Sequence, residues 1–463
     1  MWKVRDELMN NRKSAILPFL LALFLGITVA AAMPHATQAQ TGPGMEDKTI
    51  DDRGQAQAID SISVELERTY VFPDVAKKME KLLRDQYRKK AYAGLTSTRE
   101  FAQRLTQDLQ SISHDRHLHI DYLSDEDLAL MTSDTSGHAA AEEGLRAERK
   151  RNFGFREIKM LPGNVGYLRF DGFSGANEAG ATAIAAMNFL ANADAIIFDV
   201  RQNGGGSPKM IQLLSSYLFE EPVHLNSFYI RRSDSVEQYW TQPHVPGPRL
   251  TKTDVYVLTS HRTFSAAEEF TYNLKNLKRA TIVGDTTGGG AHPVDGFFWA
   301  NLHLTASIPF GRAINPITGT NWEGTGVAPD LVVASDNALD VAHREALKKI
   351  STRTTNERDR MMLDWAITGL DSKINPATID MASLSGYAGA YGERAIKFEN
   401  GKLYYRRGGN PWAALIPMSE TLFRMENVDY FRLEVVRDGQ GKPTALVGHY
   451  DNGMVDRSER SGS

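Results

Sequence analysis

Between about 55 and 112 the apolar residues recur three and four apart: Ile59, Ile62 and Leu66, then Val75, Met79, Leu82 and Leu83, then Phe101, Leu105 and Leu109. That period sets apolar side chains on one face of a helix. Pro73 after Phe72 and the run Thr96-Ser97-Thr98 are helix starts, so the pattern predicts three helices in a small bundle. The polar stretch from Thr132 to Arg151 reads as a linker or an exposed helix. Between about 155 and 335 the period changes. Short apolar runs at Val165 to Phe170, Ala195 to Val200, Val255 to Thr259 and Thr281 to Val283 read as buried strands, and Gly180 to Leu190, Lys209 to Phe219 and Ala266 to Leu277 as helices. Strands alternating with helices predict an α/β layered domain, closed by an amphipathic helix from Leu339 to Ile350. From about 384 to 450 apolar residues alternate (Ile396, Phe398; Leu403, Tyr405; Phe431, Leu433, Val435) between turns such as Asn400-Gly401, Gly408-Gly409-Asn410 and Asp438-Gly439. Asn-Gly between alternating runs is a hairpin signal, so this part reads as a small antiparallel β domain, a partial barrel. The tail from Asp451 is polar and reads as mobile.

The first 39 residues follow a different logic. Lys3, Arg5, Arg12 and Lys13 precede an uncharged stretch from Ala15 to Ala32, and Thr37 and Ala39 supply small residues two apart. That is the layout of a secretory signal peptide, with an uncleaved N-terminal anchor as the alternative. No later segment is apolar enough to span a membrane, so the expected product is exported, periplasmic or extracellular. The expected division is a signal peptide at 1–39, an N-terminal helical domain at 55–125, an α/β core at 155–355 and a C-terminal β domain at 380–455.

Composition narrows the chemistry. A chain of 463 residues has room for two or three domains. The formal net charge of −4 offers no basic excess for nucleic acid. With no Cys, disulfides, thiolate catalysis and Cys-ligated metals are excluded, so any nucleophile is an oxygen or a nitrogen. The usual elbow, zincin, phosphate-loop and dinucleotide signatures are missing too.

Four short segments remain. Asp199-Val-Arg201-Gln-Asn203-Gly204-Gly205-Gly206 sits where a strand gives way to a helix, and reads either as a tight turn or as one that aims the N–H groups of Gly205 and Gly206 at an anion. In Thr263-Phe264-Ser265-Ala266-Ala267-Glu268, Ser265 and Glu268 fit a capping box. The same placement suits a nucleophile, because an alkoxide adduct at a helix N-terminus lies beside free N–H donors, Ala266 N–H first among them. Ser113-His114-Asp115-Arg116-His117-Leu118-His119 reads as surface histidines, a general base or, least well for its spacing, a metal site. Trp322-Glu323-Gly324-Thr325-Gly326 holds either a surface acid or a partly desolvated, orienting carboxylate.

In this order and spacing the segments resemble the C-terminal processing (tail-specific) family of serine peptidases, in its branch with tricorn protease and interphotoreceptor retinoid-binding protein. Tyr70-Val71-Phe72-Pro73, Asp115-Arg116-His117-Leu118, Asp199 to Gly206, Ser265-Ala266-Ala267-Glu268, Gly284 to Gly290 and Gly326-Val327-Ala328-Pro329-Asp330 carry the likeness over residues 55 to 350. The resemblance implies a crotonase-like α/β spiral core with an N-terminal helical bundle and a small C-terminal antiparallel β domain. It also implies an exported serine peptidase with Ser265 as nucleophile, His117 as base and Glu323 as supporting acid. The oxyanion would be held by Ala266 with Gly205 or Gly206, the substrate would be a peptide or polypeptide, and neither cofactor nor metal would be needed. Two departures stand out. Tail-specific members place a Lys where this chain has Gly290, and tricorn-type sites place a Ser where this chain has Arg116. The likeness to the retinoid-binding branch keeps a second reading open, a non-catalytic carrier of an apolar ligand. Under the peptidase reading, activity rises with pH through about 6 to 7, the ordinary range of a histidine base.

Overall fold

The computed structural model describes residues 47–132, 136–426 and 428–462. The leader at 1–39 therefore lies outside the described residues. Three helices open the chain: α1 (Asp52–Thr69), α2 (Pro73–Arg88) and α3 (Thr98–Ser113). Pro73 occupies the first turn of α2, where a missing N–H costs nothing, and Ser97 caps α3 by accepting from Glu100 N–H at 3.0 Å. Their apolar faces bury Ile59, Ile62, Leu66, Met79, Leu83, Phe101, Leu105 and Leu109 together. A short strand, β1 (His119–Tyr122), and a helix, α4 (Asp125–Thr132), follow, and the stretch read as a linker or an exposed helix carries α5 (Ser136–Lys150).

The middle of the chain alternates as its pattern predicts: β2 (Phe155–Leu161), β3 (Val165–Phe170), α6 (Ala176–Phe189), β4 (Ala195–Asp199), α7 (Pro208–Ser216), the hairpin β5 (His224–Ile230) and β6 (Ser235–Trp240), β7 (Asp254–Thr259), α8 (Ala266–Asn276) and β8 (Thr281–Gly284). Next come β9 (Val294–Trp299), β10 (Leu304–Pro309), β11 (Gly311–Ile314), β12 (Leu331–Val332), α9 (Ala338–Arg353) and α10 (Glu357–Ile374). A six-stranded sheet runs β12-β8-β7-β4-β3-β2, parallel except for β2. Its four inner strands, β8, β7, β4 and β3, are buried on both faces. One face packs through Leu168, Phe170, Phe198 and Ile196 onto α6, α7 and α8, and the other through Tyr167, Ile197 and Leu258 onto α9 and α10.

Two smaller sheets, β1-β10-β9 and β11-β5-β6, flank this core. The first matters for the site. By pairing β1 with β10 it ties the end of the helical bundle to the segment that leaves the Gly-rich turn after β8. The β5–β6 hairpin has no strong sequence signal, because β6 is exposed at nearly every position.

After α11 (Met381–Gly386), eight antiparallel strands from β13 (Gly389–Tyr391) to β20 (Val455–Glu459) form one sheet. It curls almost into a barrel, since Ser461 N–H donates to Ala390 O at 2.8 Å across the open edge. The Asn400-Gly401 turn has φ of 51° and 76°, the two positive values that a tight hairpin requires. The tail expectation is corrected: residues 455–459 pair with the preceding strand from Ala445↔Glu459 to His449↔Val455. Val455, Arg457 and Glu459 lie on the exposed face of that strand. No helix among the described residues is long and apolar enough to cross a membrane.

Candidate active site

Ser265 stands at the junction of β7 and α8, where a parallel strand ends and a helix begins. Its φ of 55° and ψ of −122° are unusual for a residue with a side chain. The result is a strained strand-to-helix turn of the nucleophile-elbow kind, without the glycines that mark that elbow in sequence. The preceding loop is bolted to the turn after β4. Thr263 Oγ1 donates to Val200 O at 2.9 Å, Ser260 Oγ to Arg201 O at 2.6 Å, and Phe264 N–H to Asn203 O at 3.1 Å.

This stitching brings the glycine turn against the serine. A Cβ on Gly205 would lie 2.7 Å from Ser265 Cβ and 3.0 Å from Ala266 N, and with φ of +111° the position is glycine's on two counts. Ala266 N–H, at the first position of α8, has no acceptor among the described residues. Of the two glycine donors, Gly205 N–H is engaged by Asn203 Oδ1 at 2.9 Å, whereas Gly206 N–H has no acceptor among the described residues. Two N–H groups are thus left unsatisfied, that of Ala266 beside the serine at a helix N-terminus and that of Gly206 in the glycine turn that packs against it, and such donors suit an anionic oxygen.

Glu268 does more than cap. Fully buried, it accepts from Ser265 N–H at 2.9 Å, Thr287 Oγ1 at 2.5 Å, Gly289 N–H at 2.6 Å and Gly290 N–H at 2.8 Å. Burial pushes its carboxyl up, and the four donors pull it back. Its role is to hold the serine and the Gly-rich turn in one frame. That turn is zipped in its own right to the next: Trp322 Nε1–H donates to Gly290 O at 2.7 Å, Gly324 N–H to Gly289 O at 3.0 Å, and Ala291 N–H to Glu323 Oε2 at 2.6 Å.

His117 reaches the same place from the helical bundle. Its ring lies 4.6 Å from that of Phe264, next to Ser265 in sequence, and a Cβ on Gly290 would meet its Cε1 at 2.6 Å. Asp115, His117 and Glu323 bring carboxylate oxygens and a ring nitrogen to within 4.8 Å of one another. His117 Nδ1 and Glu323 Oε1 are both buried, and neither has a hydrogen-bond partner among the described residues. Desolvation lowers His117 to about 4, with Asp115 opposing the shift. Desolvation, then the Asp115 charge, raises Glu323 to about 7.

The other two histidines of the 113–119 segment go elsewhere: His114, in the left-handed conformation, ends α3 at an exposed position, and His119 Nε2 lies 3.2 Å from Asp121 on the surface. Arg116 donates to Gly288 O at 2.5 Å with its guanidinium 5.3 Å over the Phe264 ring. Asp115 lies beside Glu323, and next to both is His292, which the sequence reading did not single out. His292 Nδ1 lies 2.6 Å from Asp115 Oδ2 and 3.5 Å from Glu323 Oε2. A lone His in a loop has no pattern to announce it, and its partner is 177 residues away.

The model of peptidase family S41 matches residues 164–333, and the model of the N-terminal domain of the S41 peptidase in eukaryotic IRBP matches residues 52–148. Both models describe one family of peptidases. The chain belongs to peptidase family S41. Among solved structures it is similar to the photosystem II D1 C-terminal processing protease (15% identity, 62% of this chain and 93% of that one, TM-score 0.39). It is also similar to a lipoprotein from Streptococcus agalactiae (16%, 69% and 100%, 0.41) and to the tricorn protease (15%, 65% and 37%, 0.41). At such scores these likenesses add nothing to the family match.

Proposed function

We propose that the chain is an exported serine peptidase that cleaves peptide bonds with Ser265 as nucleophile, His117 as general base and Glu323 as the acid that orients it. In this reading Ser265 Oγ attacks a peptide carbonyl while its proton passes to His117, and the imidazolium then returns that proton to the leaving amine. Water hydrolyses the acyl-enzyme with the same base. The oxyanion is held by Ala266 N–H together with Gly206 N–H, or with Gly205 N–H once its bond to Asn203 Oδ1 opens, each donor contributing about 3 kcal/mol. The observation that supports the reading most directly is that three separate stretches of chain meet around the strained Ser265: the glycine turn packs against Ser265 and Ala266, and the desolvated His117 ring packs on Phe264, the residue before the serine.

The same reading takes residues 155–355 as a crotonase-like spiral core, 55–125 as a helical domain and 380–455 as a β domain, with 1–39 removed on export. N-terminal sequencing of the exported protein should begin near residue 40, whereas Met1 in a membrane fraction would mean a retained anchor. The catalytic assignment is tested by labelling with a fluorophosphonate probe mapped by mass spectrometry. Label on Ser265, lost in Ser265→Ala and His117→Ala, is the expected result. No labelling in any of them would sink the peptidase mechanism and favour the apolar-ligand carrier.

A further inference from the structure

Behind the proposed relay lies a second buried pair. Asp115 is 1% exposed and His292 5%. Asp115 Oδ2 takes His292 Nδ1–H at 2.6 Å and faces the Tyr70 hydroxyl at 3.4 Å, while Oδ1 accepts the backbone N–H of His117 at 3.0 Å. Phe72 packs edge-on against the His292 ring at 5.5 Å, so the Tyr70 to Pro73 segment walls the pair off from solvent. Two carboxylates, Asp115 and Glu323, thus converge on one imidazole in a largely buried space, and the charge of Asp115 works against a charge on Glu323.

We propose that Asp115 and His292 are positioning residues of the peptidase site: Asp115 sets the place of His117 through its backbone N–H, and the charge of the pair decides whether Glu323 is ionised. The inference rests on the Ser265–His117–Glu323 reading and deepens it. The groups that face Glu323 are Asp115 and His117 from the end of the bundle, His292 and Ala291 N–H from the segment before β9, Glu268 from α8 and Tyr70 from the end of α1. Of these, the Asp115 charge opposes ionisation of Glu323, and His292 favours it. The relay needs Glu323 anionic to accept the imidazole N–H, so the pair governs the pH at which it begins to work.

The test is the pH dependence of the fluorophosphonate labelling rate at Ser265. Asp115→Asn removes the opposing charge and should move the onset down by about one pH unit or more, while His292→Gln should move it up by a similar amount. Opposite shifts from two touching residues are not what a packing defect produces. Lower rates with unmoved onsets in both variants would overturn the inference. If instead Glu323→Gln labels as fast as wild type, the catalytic reading itself fails. A measurement on the wild type guards against a variant that does not fold: a carboxyl onset stays nearly constant with temperature, whereas an imidazole onset moves, and a moving onset would also overturn the proposal.

Discussion

His117 and Glu323 each hold a buried side-chain atom with no hydrogen-bond partner among the described residues, Nδ1 and Oε1, and a ring nitrogen of the one lies within 4.8 Å of a carboxylate oxygen of the other. Each orphan is what the other lacks. Leaving both unmade costs on the order of 1–3 kcal/mol per group, so a small shift that closes the contact is favoured once the proton taken from Ser265 puts a positive charge on His117.

The pH profile follows from that pair. With His117 lowered to about 4, the base is neutral well below pH 6, and the acid that must ionise is Glu323, raised to about 7. Activity should therefore rise with pH through about 7 because a carboxyl loses its proton. Glu323→Gln should lower the plateau and abolish that inflection, measured as labelling rate from pH 4 to 9. A profile with its only inflection near 4 would contradict the role of Glu323.

Gly290 packs where a side chain does not fit. A Cβ there would lie 2.3 Å from Phe264 Cζ and 2.6 Å from His117 Cε1. Gly290→Ala should displace the base and cut activity by at least about 100-fold, since misplacing a reacting group by 1 Å costs that much. Circular dichroism should show an unchanged fold.

The strain at Ser265 makes a converse prediction for stability. A residue held at φ 55° and ψ −122° costs about 1–3 kcal/mol, and glycine relieves it. Ser265→Gly should unfold at higher denaturant than Ser265→Ala, with activity lost in both. Equal midpoints would mean that the turn is not strained.

Glu269, one residue beyond the anchoring Glu268, is buried beside the amides of Asn226 and Asn273, and burial raises it to about 8. In the unfolded chain the same carboxyl ionises near its ordinary value, so between about 4.5 and 8 the folded state binds the extra proton. Stability attributable to this group is complete at acid pH and falls by at most about 1.4 kcal/mol per pH unit as pH rises through that window. Glu269→Gln should melt above wild type at pH 8 and close to it at pH 4.5. A constant difference across the range would count against a proton-binding role.

Several features needed no tertiary information. The 3.6-residue period and the starts at Pro73 and Ser97 determined α1 to α3, because an apolar face and a cap act within a few residues of themselves. The alternation of apolar runs and helices determined the core sheet in the same way, and Asn400-Gly401 its hairpin, because only residues tolerant of positive φ make that turn. Zero Cys and the motif order left an oxygen or nitrogen nucleophile and a short roll of candidates. What the structure alone decided is who meets whom. The pairing of β1 with β10 carries the bundle's Asp115 and His117 to a turn some 170 residues away, and there Asp115 finds His292. Burial then sets the protonation of His117, Glu323 and Glu269. No local pattern encodes those encounters or that dryness, since both arise from the packing of segments distant in sequence.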